Sequence, residues 1–508
     1  MIPRGLRQVI RFTGLSLLFA VIYSQSPLYS SNQHQYFLHG LAHAGVGNLR
    51  EDWLAGTRYP TPVFSWIVEG TARTLGPAAF YLEYALLMGV YLVSLTDIVR
   101  STGLLPVSGR ARAAFGVGML AVHSAAARFA LSRALGPDWS FALESGVAAQ
   151  RLLGQVFQPS VFGVFLVASV ALFLRGRPYL AAASAALAAS VHPTYLLPAA
   201  LLVLIYCAWT AWRGGGWRRA AGTGGLALVL VLPIVMYVTI NFGASGPENS
   251  RLAQEILVSR IPHHAVPAKW LDPPVGSQVV ILLAALYWVR KTRLFPLLAA
   301  AGAICLALTV AQAATGNPTL ALLFPWRISV LLVPISVAIL LARGAERLRP
   351  ALDRLSPTAF GFLAPATVLA LALAGGSRFW IEQNQAAADP ARPMLEYIST
   401  HQQSGDVYLT PPKMDGFRLS TDAPIVVDAK SIPYFDREVL EWNTRLRLAQ
   451  FFYRDRVAYI DCGLLEVMRS TYGATHLVLG PQQLGLDCGP WEEVFRDDSY
   501  AVYRLPEP

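Results

Sequence analysis

Charged side chains are scarce in this sequence. They make up 14% of its 508 residues, against roughly a quarter in an ordinary soluble domain, whereas hydrophobic residues make up 54%. This balance excludes an ordinary soluble protein and predicts a polytopic α-helical membrane protein. The length leaves room for a large helical bundle and one additional polar domain.

Cysteine is also rare. Four cysteines are too few for a disulfide scaffold. Cys207 and Cys305 fall in apolar stretches, where we expect them to be packing residues. Cys462 and Cys488 lie in the polar C-terminal part and can pair if that part lies outside the cytoplasm. The sequence leaves this pairing open.

The net charge of +10 does not indicate nucleic-acid binding. Most arginines stand in short loops beside apolar segments, where membrane topology explains them better. Arg4, Arg7 and Arg11 precede an apolar run at 12–23, and no small-residue cleavage site follows cleanly. We interpret this run as an uncleaved first helix with its N-terminus in the cytoplasm.

Apolar runs recur along the first three quarters of the chain and predict about eleven transmembrane helices. They are found at 8–27, 76–99, 113–133, 160–174, 178–191, 194–212, 222–241, 276–289, 294–311, 325–342 and 358–375. With alternating sides, the short basic clusters share the cytoplasmic face, as the positive-inside rule requires. The composition fits a bacterial plasma membrane.

This topology predicts a transmembrane bundle over 1–376 and an extracytoplasmic α/β domain over 377–508. The residue pattern of the second region predicts short strands at 406–410, 423–427, 475–479 and 500–504. It predicts helices at 393–402 and 436–455. No glycine-rich phosphate loop or zinc spacing occurs there, so we interpret it as a lid or recognition domain. Long loops at 28–75, 136–158 and 241–276 share its face, where we expect the functional site.

Two adjacent acids in the first of these loops are the leading catalytic candidates. Glu51 and Asp52 would point about 100° apart on a helix, so one is expected to act and the other to cap or pair. A carboxylate here can take a proton from an attacking hydroxyl or hold a divalent cation such as Mg²⁺ or Mn²⁺. We favour Asp52; a solvated loop with a helix-capping acid is the alternative.

Histidines provide weaker candidates. His39 and His43 stand four residues apart, which is metal-ligand spacing on a helix face, but no third ligand follows at a fixed offset. With Asp52 they are the weak metal candidates, and ordinary surface histidines are the alternative. His263 and His264 in the 241–276 loop are candidates for contact with phosphate or substrate.

Further substrate-binding candidates lie near the same face. Asp138 and Arg151 are able to complete a site begun by Asp52, although a capped helix explains Asp138 equally well. His192 stands at the tip of a hairpin, where an ionisable group is costly unless it is used.

Arg327 is a basic residue at the outer end of a span, against the charge bias of the chain. It is placed to hold a lipid phosphate, with Trp326 as an interfacial anchor. Snorkelling of Arg327 to ordinary headgroups is the alternative.

A resemblance follows from these features together. The basic N-terminus, the first outer loop with Glu51 and Asp52, about eleven spans and an outer α/β domain resemble the GT-C superfamily of membrane glycosyltransferases. The phrases SNQHQY at 31–36, HPTY at 192–195 and FPWR at 324–327 also resemble an uncharacterised family of bacterial membrane proteins.

The resemblance implies a sugar donor on a polyprenyl phosphate, used on the outer face of the membrane. A first-loop acid, matching Asp52 or Glu51, would act as base or metal partner, usually with inversion at the anomeric carbon. Arg327, Arg151 or His263 would stabilise the departing lipid phosphate. No second acid aligns with the family pattern, so the resemblance does not define a metal site.

Two other classes compete with this reading. A transporter or flippase should carry ionisable residues at mid-membrane and internal repeats; Glu83 and Asp97 lie in or beside the second span, but no convincing repeat is found. A membrane assembly protein is the third class. The variant Asp52→Asn discriminates, because it should inactivate a transferase with folding intact and leave a scaffold unaffected.

Overall fold

The computed structural model describes residues 3–213, 215–262, 266, 269, 271–317, 320, 323, 325–454, 462–481, 483, 488–489 and 491–506. Helices dominate these residues. The α-helices, numbered α1 to α20 in chain order, are Arg4–Tyr23, Gln33–Tyr36, Leu38–Ala44, Pro62–Thr74, Ala79–Ser101, Gly109–Val122, Ala125–Leu135, Val164–Leu174, Pro178–Val191, Leu196–Trp212, Gly216–Asn241, Pro247–Arg260, Pro273–Val289, Leu294–Thr315, Ser329–Arg354, Pro357–Ala387, Arg392–His401, Phe417–Thr421, Asp436–Phe452 and Cys462–Tyr472.

Seven of the described helices are long and apolar enough to cross a membrane, so the chain is a multi-pass membrane protein. An eighth span is made if a bent pair is counted, and shorter apolar helices are found at Pro159–Leu174, Pro178–Val191 and Pro273–Val289. The count of about eleven spans stays a prediction, because these shorter helices fall below the ~20 residues that a span needs.

The span predicted at 113–133 is a broken helix. α6 and α7 meet at a bend of 62°. Ser124 caps α7 by accepting a hydrogen bond from Ala127 N at 3.0 Å, and its hydroxyl donates to Ala121 O at 2.7 Å. The hydroxyl thus satisfies a free backbone group at each side of the break, which a continuous apolar run does not reveal.

The chain forms two compact units. The membrane unit comprises 1–25, 80–236 and 257–380, and the polar unit comprises 26–79, 237–256 and 381–508. In the membrane unit, α8 packs on α9, and α15 packs on α6 and α13. At Gly375 a Cβ would stand 2.0 Å from Val21 O, so α16 approaches α1 at a point where glycine is needed.

The polar unit contains a four-stranded sheet. Its strands are β1 (Tyr408–Leu409), β2 (His476–Leu479), β3 (Glu492–Arg496) and β4 (Ala501–Arg504), in the order β1-β2-β4-β3. β1 and β2 are parallel, and the other neighbours are antiparallel. Ile425 makes only an isolated bridge to Tyr408, so the strand expected at 423–427 is an extended segment beside β1.

Cys462 and Cys488 form a disulfide in this unit, across a sequence separation of 26 residues. Cys207 and Cys305 of the membrane unit are free thiols.

The division of the chain differs from a single boundary at 376. The loop at 28–75 belongs to the same unit as 381–508 because backbone and side-chain hydrogen bonds join them. Asn48 N donates to Asp422 O at 2.9 Å, and Trp53 Nε1 donates to Val426 O at 2.8 Å. The first polar loop is therefore part of the polar unit's core.

Candidate functional site

Asp52 lies at the centre of a buried ionic cluster in the polar unit. Its Oδ2 accepts from Arg418 Nε at 2.7 Å and from Ile425 N at 3.0 Å, while its Oδ1 accepts from Leu54 N at 2.9 Å. Arg418 also donates to Asp428 Oδ2 at 2.5 Å. Asp52, Arg418 and Asp428 are each 1% exposed. We call these three residues the Arg418 cluster.

The local sequence explains how Asp52 reaches this position. The 3₁₀ turn Leu49–Glu51 ends at Asp52, which has extended backbone and turns its side chain inward. Leu49 is buried beside it and anchors the turn. In this conformation both Asp52 oxygens hold donors, so the carboxylate supports Arg418 and is closed to a substrate hydroxyl.

Glu51 lies on the exposed side of the same turn. Its carboxylate accepts from Ser404 Oγ at 2.6 Å and from Gly405 N at 2.7 Å. These hydrogen bonds lower the pKa of Glu51. Glu51 is thus ionised at neutral pH and tied to the start of the C-terminal region.

The structure does not assemble the predicted metal site. His39 is buried against Tyr59, with ring centroids 4.1 Å apart, and its Nε2 is 3.2 Å from Thr57 O. Burial lowers the pKa of His39 to about 3. His43 instead faces Glu69, at 3.8 Å. Within the part of the chain that the structure describes, no three histidine, cysteine or carboxylate side chains converge to hold a metal ion.

A second buried polar cluster lies in the membrane unit, in the loop that follows α7. Glu144 Oε1 accepts from Tyr23 Oη at 3.1 Å and lies 3.9 Å from Arg128 Nη1. Arg151 acts on the same carboxylate electrostatically and stacks on Phe141, 3.7 Å from the ring centroid. We call Arg128, Glu144 and Arg151 the Glu144 cluster.

Burial raises the pKa of Glu144 to about 7, against the opposing effect of Arg128 and Arg151. Glu144 is 4% exposed and Arg128 is 7% exposed. Arg128 also donates to His123 O at 3.1 Å and to the carbonyl of Tyr23. Carbonyl groups satisfy its N–H donors without neutralising its charge.

Arg327 and Trp326 occupy the 3₁₀ turn Pro325–Ile328, and both are buried. The guanidinium of Arg327 acts electrostatically on the buried ring of His192. Ser329 Oγ, just after this turn, accepts from Val147 N at 2.9 Å. The backbone of Ser145 pairs with that of Arg151 in the same loop. These contacts join the loop that carries Arg151 to the residue that follows the 325–328 turn.

Of the remaining predicted residues, Asp138 is described by the structure and does not join these clusters. Asp138 is exposed in the 3₁₀ turn Pro137–Trp139. His263 and His264 lie outside the described residues.

Comparison with solved structures shows which known fold this chain resembles. The chain is similar to ArnT from Cupriavidus metallidurans in the crystal structure bound to undecaprenyl phosphate, at 14% identity and a TM-score of 0.50 over 98% of this chain and 97% of that chain. The chain has a GT-C-like fold. The apo structure of the same ArnT gives 14% identity and a TM-score of 0.48 over 99% of this chain and 98% of that chain.

Sequence comparisons reach less of this GT-C-like chain. Residues 389–449 match a family model described as a domain of unknown function, DUF6798. The matched segment contains Arg418 and Asp428. No curated protein matches the chain.

Sequence reasoning missed several of the residues that form the two clusters. Arg418 and Asp428 lie in a polar stretch of the sequence and show no distinctive spacing. Arg128 lies inside an apolar run. Arg128 carried a usable signal, because a charged residue within a predicted span is costly unless it is used.

Proposed function

We propose that this protein is a GT-C-type glycosyltransferase that moves a sugar from a polyprenyl-phosphate donor to an acceptor on the outer face of the bacterial plasma membrane. The GT-C-like fold supports this assignment, since it extends over nearly the whole chain. A solved neighbour with that fold was crystallised with undecaprenyl phosphate, which is the chemical class of donor lipid proposed here.

The observation that carries the proposal is the positive charge of the Glu144 cluster. Two guanidinium groups, those of Arg128 and Arg151, act on one buried carboxylate. Buried charge is costly without a counter-charge, and a phosphate group would supply it. Arg327, in the turn next to the residue that contacts this loop, adds a third guanidinium, a group whose planar set of donors matches phosphate oxygens.

In the proposed reaction, an acceptor hydroxyl attacks the anomeric carbon while the bond from that carbon to the phosphate oxygen breaks. The bonding electron pair leaves with the polyprenyl phosphate, whose developing charge the arginines stabilise. The hydroxyl proton passes to a carboxylate base, for which Asp52 and Glu51 remain the proposed residues. Asp52 would act only if its carboxylate were released from Arg418.

The orientation is also part of the proposal. Disulfides persist in oxidising compartments, so the Cys462–Cys488 bond supports an extracytoplasmic polar unit. The basic clusters predicted to face the cytoplasm support the same orientation.

Lipid retention tests the proposal directly. The protein is purified into phosphatidylcholine nanodiscs with added undecaprenyl phosphate, and the bound lipid is measured by native mass spectrometry. Arg151→Ala and Arg327→Ala should each reduce retention about 10- to 150-fold, since a hydrogen bond to a charged group contributes about 1.5–3 kcal/mol. Arg133→Ala, an exposed arginine at the end of α7, is the matched control and should retain the lipid.

A parallel titration with phosphatidylglycerol separates a polyprenyl site from ordinary headgroup contact. Equal loss of both lipids in Arg327→Ala would show that Arg327 only snorkels. Undiminished retention of undecaprenyl phosphate in both Arg151→Ala and Arg327→Ala, with unchanged melting temperatures, would contradict the proposal.

A further inference from the structure

Buried polar atoms without partners gather around Asp428 in the polar unit. Within the described residues, His34 Nδ1, Thr410 Oγ1, Asp415 Oδ1 and Ser431 Oγ have no hydrogen-bond partner. A buried polar atom left without a partner destabilises the fold, so a ligand that supplies partners is favoured. We call these four residues, together with Asp428, the Asp428 cluster.

Backbone hydrogen bonds bring the cluster together. Asp428 Oδ1 accepts from Ser431 N at 2.6 Å, which fixes Ser431 beside it. The segments 408–412 and 424–429 run side by side, because Val426 N donates to Tyr408 O at 3.0 Å and Ala429 N donates to Pro412 O at 2.8 Å. Thr410 therefore lies opposite the segment 424–429, which contains Asp428.

The first polar loop contributes His34 to the same place. A Cβ on Gly416 would stand 3.4 Å from His34 Cε1, so the imidazole packs against the turn that carries Asp415. His34 is 8% exposed, and Thr410 and Ser431 are each 1% exposed. These side chains are too enclosed to be satisfied by bulk solvent.

The charges of these side chains limit the chemical class of ligand that the cluster can bind. Burial lowers the pKa of His34 to about 4, so the ring is neutral at pH 7, with one nitrogen donating and the other accepting. Burial, together with the charge of Asp428, raises the pKa of Asp415 to about 6. Arg418 is shared by Asp52 and Asp428, and Lys430 acts on Asp415, so among the described residues the cations beside the cluster are matched by carboxylates and none is left over for a phosphate or other anion.

The donor and acceptor pattern identifies the ligand class. The serine and threonine hydroxyls and the neutral imidazole each combine donor and acceptor capacity, and Asp415 accepts. An alcohol hydroxyl also both donates and accepts, so several hydroxyls on one ligand would satisfy this set. We propose that the Asp428 cluster binds the hydroxyl groups of a saccharide. This site lies in the polar unit and does not depend on the lipid site proposed for the membrane unit.

Saturation-transfer NMR on the full-length protein in nanodiscs tests this binding, with D-glucose, D-galactose and N-acetyl-D-glucosamine as separate probes. At least one monosaccharide should receive saturation from the wild-type protein. The signal should fall severalfold in Thr410→Val and in Ser431→Ala. Ser399→Ala, an exposed serine on α17 of the same unit, is the control and should leave the signal unchanged.

Thermal unfolding provides an independent readout. Valine is isosteric with threonine, and removing an unpartnered buried hydroxyl is neutral or stabilising, so Thr410→Val should keep or raise the melting temperature while weakening sugar binding. A purely structural hydroxyl, satisfied by ordered water, would lower it instead and overturn the proposal.

Two other results would also overturn it. One is the absence of saturation transfer from the wild-type protein to any of the three sugars, and the other is transfer that neither Thr410→Val nor Ser431→Ala diminishes. Undecaprenyl phosphate retention, measured on the same preparation, reports the membrane unit separately. A wild-type protein that retains the lipid but shows no transfer to any sugar would therefore refute this inference and leave the proposed function standing.

Discussion

The substitution Asp52→Asn separates a structural carboxylate from a catalytic base. Asp52 accepts three hydrogen bonds, two at Oδ2 and one at Oδ1. An asparagine keeps one accepting oxygen, and its NH₂ group must then face at least one donor. Either Leu54 N loses its partner, or Arg418 and Ile425 N lose theirs.

The cost follows from the burial of these groups. Losing a hydrogen bond to a charged group costs about 1.5–3 kcal/mol, and leaving a buried N–H unsatisfied costs about 1–3 kcal/mol. Arg418 keeps Asp428 as its counter-ion, so the larger penalty for an uncompensated buried charge is avoided. We expect the polar unit to be destabilised by about 2–4 kcal/mol.

Native-state hydrogen exchange measures this effect where it arises. Peptides that contain the amides of Leu54 and Ile425 should exchange about 30- to 700-fold faster in the variant, since each 1.4 kcal/mol is about tenfold. Glu51→Gln is the matched control, because Glu51 is exposed and should change stability by less than about 1 kcal/mol. Unchanged protection in Asp52→Asn, with activity lost, would refute the structural reading and support Asp52 as the base.

Two further predictions concern the pH dependence of lipid binding and the disulfide. Because the pKa of Glu144 is raised to about 7, this carboxyl becomes neutral as the pH falls below about 7 and leaves Arg128 and Arg151 unopposed. Native mass spectrometry should therefore show tighter binding of undecaprenyl phosphate at pH 6 than at pH 8. Glu144→Gln should abolish this difference. Removing the disulfide by Cys462→Ser should destabilise the polar unit by about 3–4 kcal/mol, as expected for a loop of this length. A reductant should lower the melting temperature of the wild-type protein towards that of the variant. An unchanged melting temperature in Cys462→Ser would contradict the prediction.

The membrane helices could be read from the sequence because their cause is local. In hydrocarbon every backbone group must be satisfied within the segment, so a sufficiently long apolar run forms a helix whatever its neighbours are. The run predicted at 178–191 is α9, Pro178–Val191, and the run at 294–311 lies within α14, Leu294–Thr315. The break at Ser124 was missed, since one serine scarcely changes the mean hydropathy.

The strands of the polar unit were only partly readable. β2 and β4 fall within the strand-like runs predicted at 475–479 and 500–504, whereas β3, Glu492–Arg496, is mostly charged and lies at a sheet edge. Such an edge strand is held by pairing with β4, which local composition does not encode.

The roles of individual polar residues depended on partners far away along the chain. The sequence by itself determined that a carboxylate stands at Asp52 in the first polar loop and that arginines stand near the ends of spans. Tertiary structure decided that Asp52 meets Arg418, 366 residues away, and that Glu144 gathers Arg128 and Arg151. The physical reason is that a buried charge takes its properties from the groups that fold around it, whereas helix formation in a membrane depends on the segment alone.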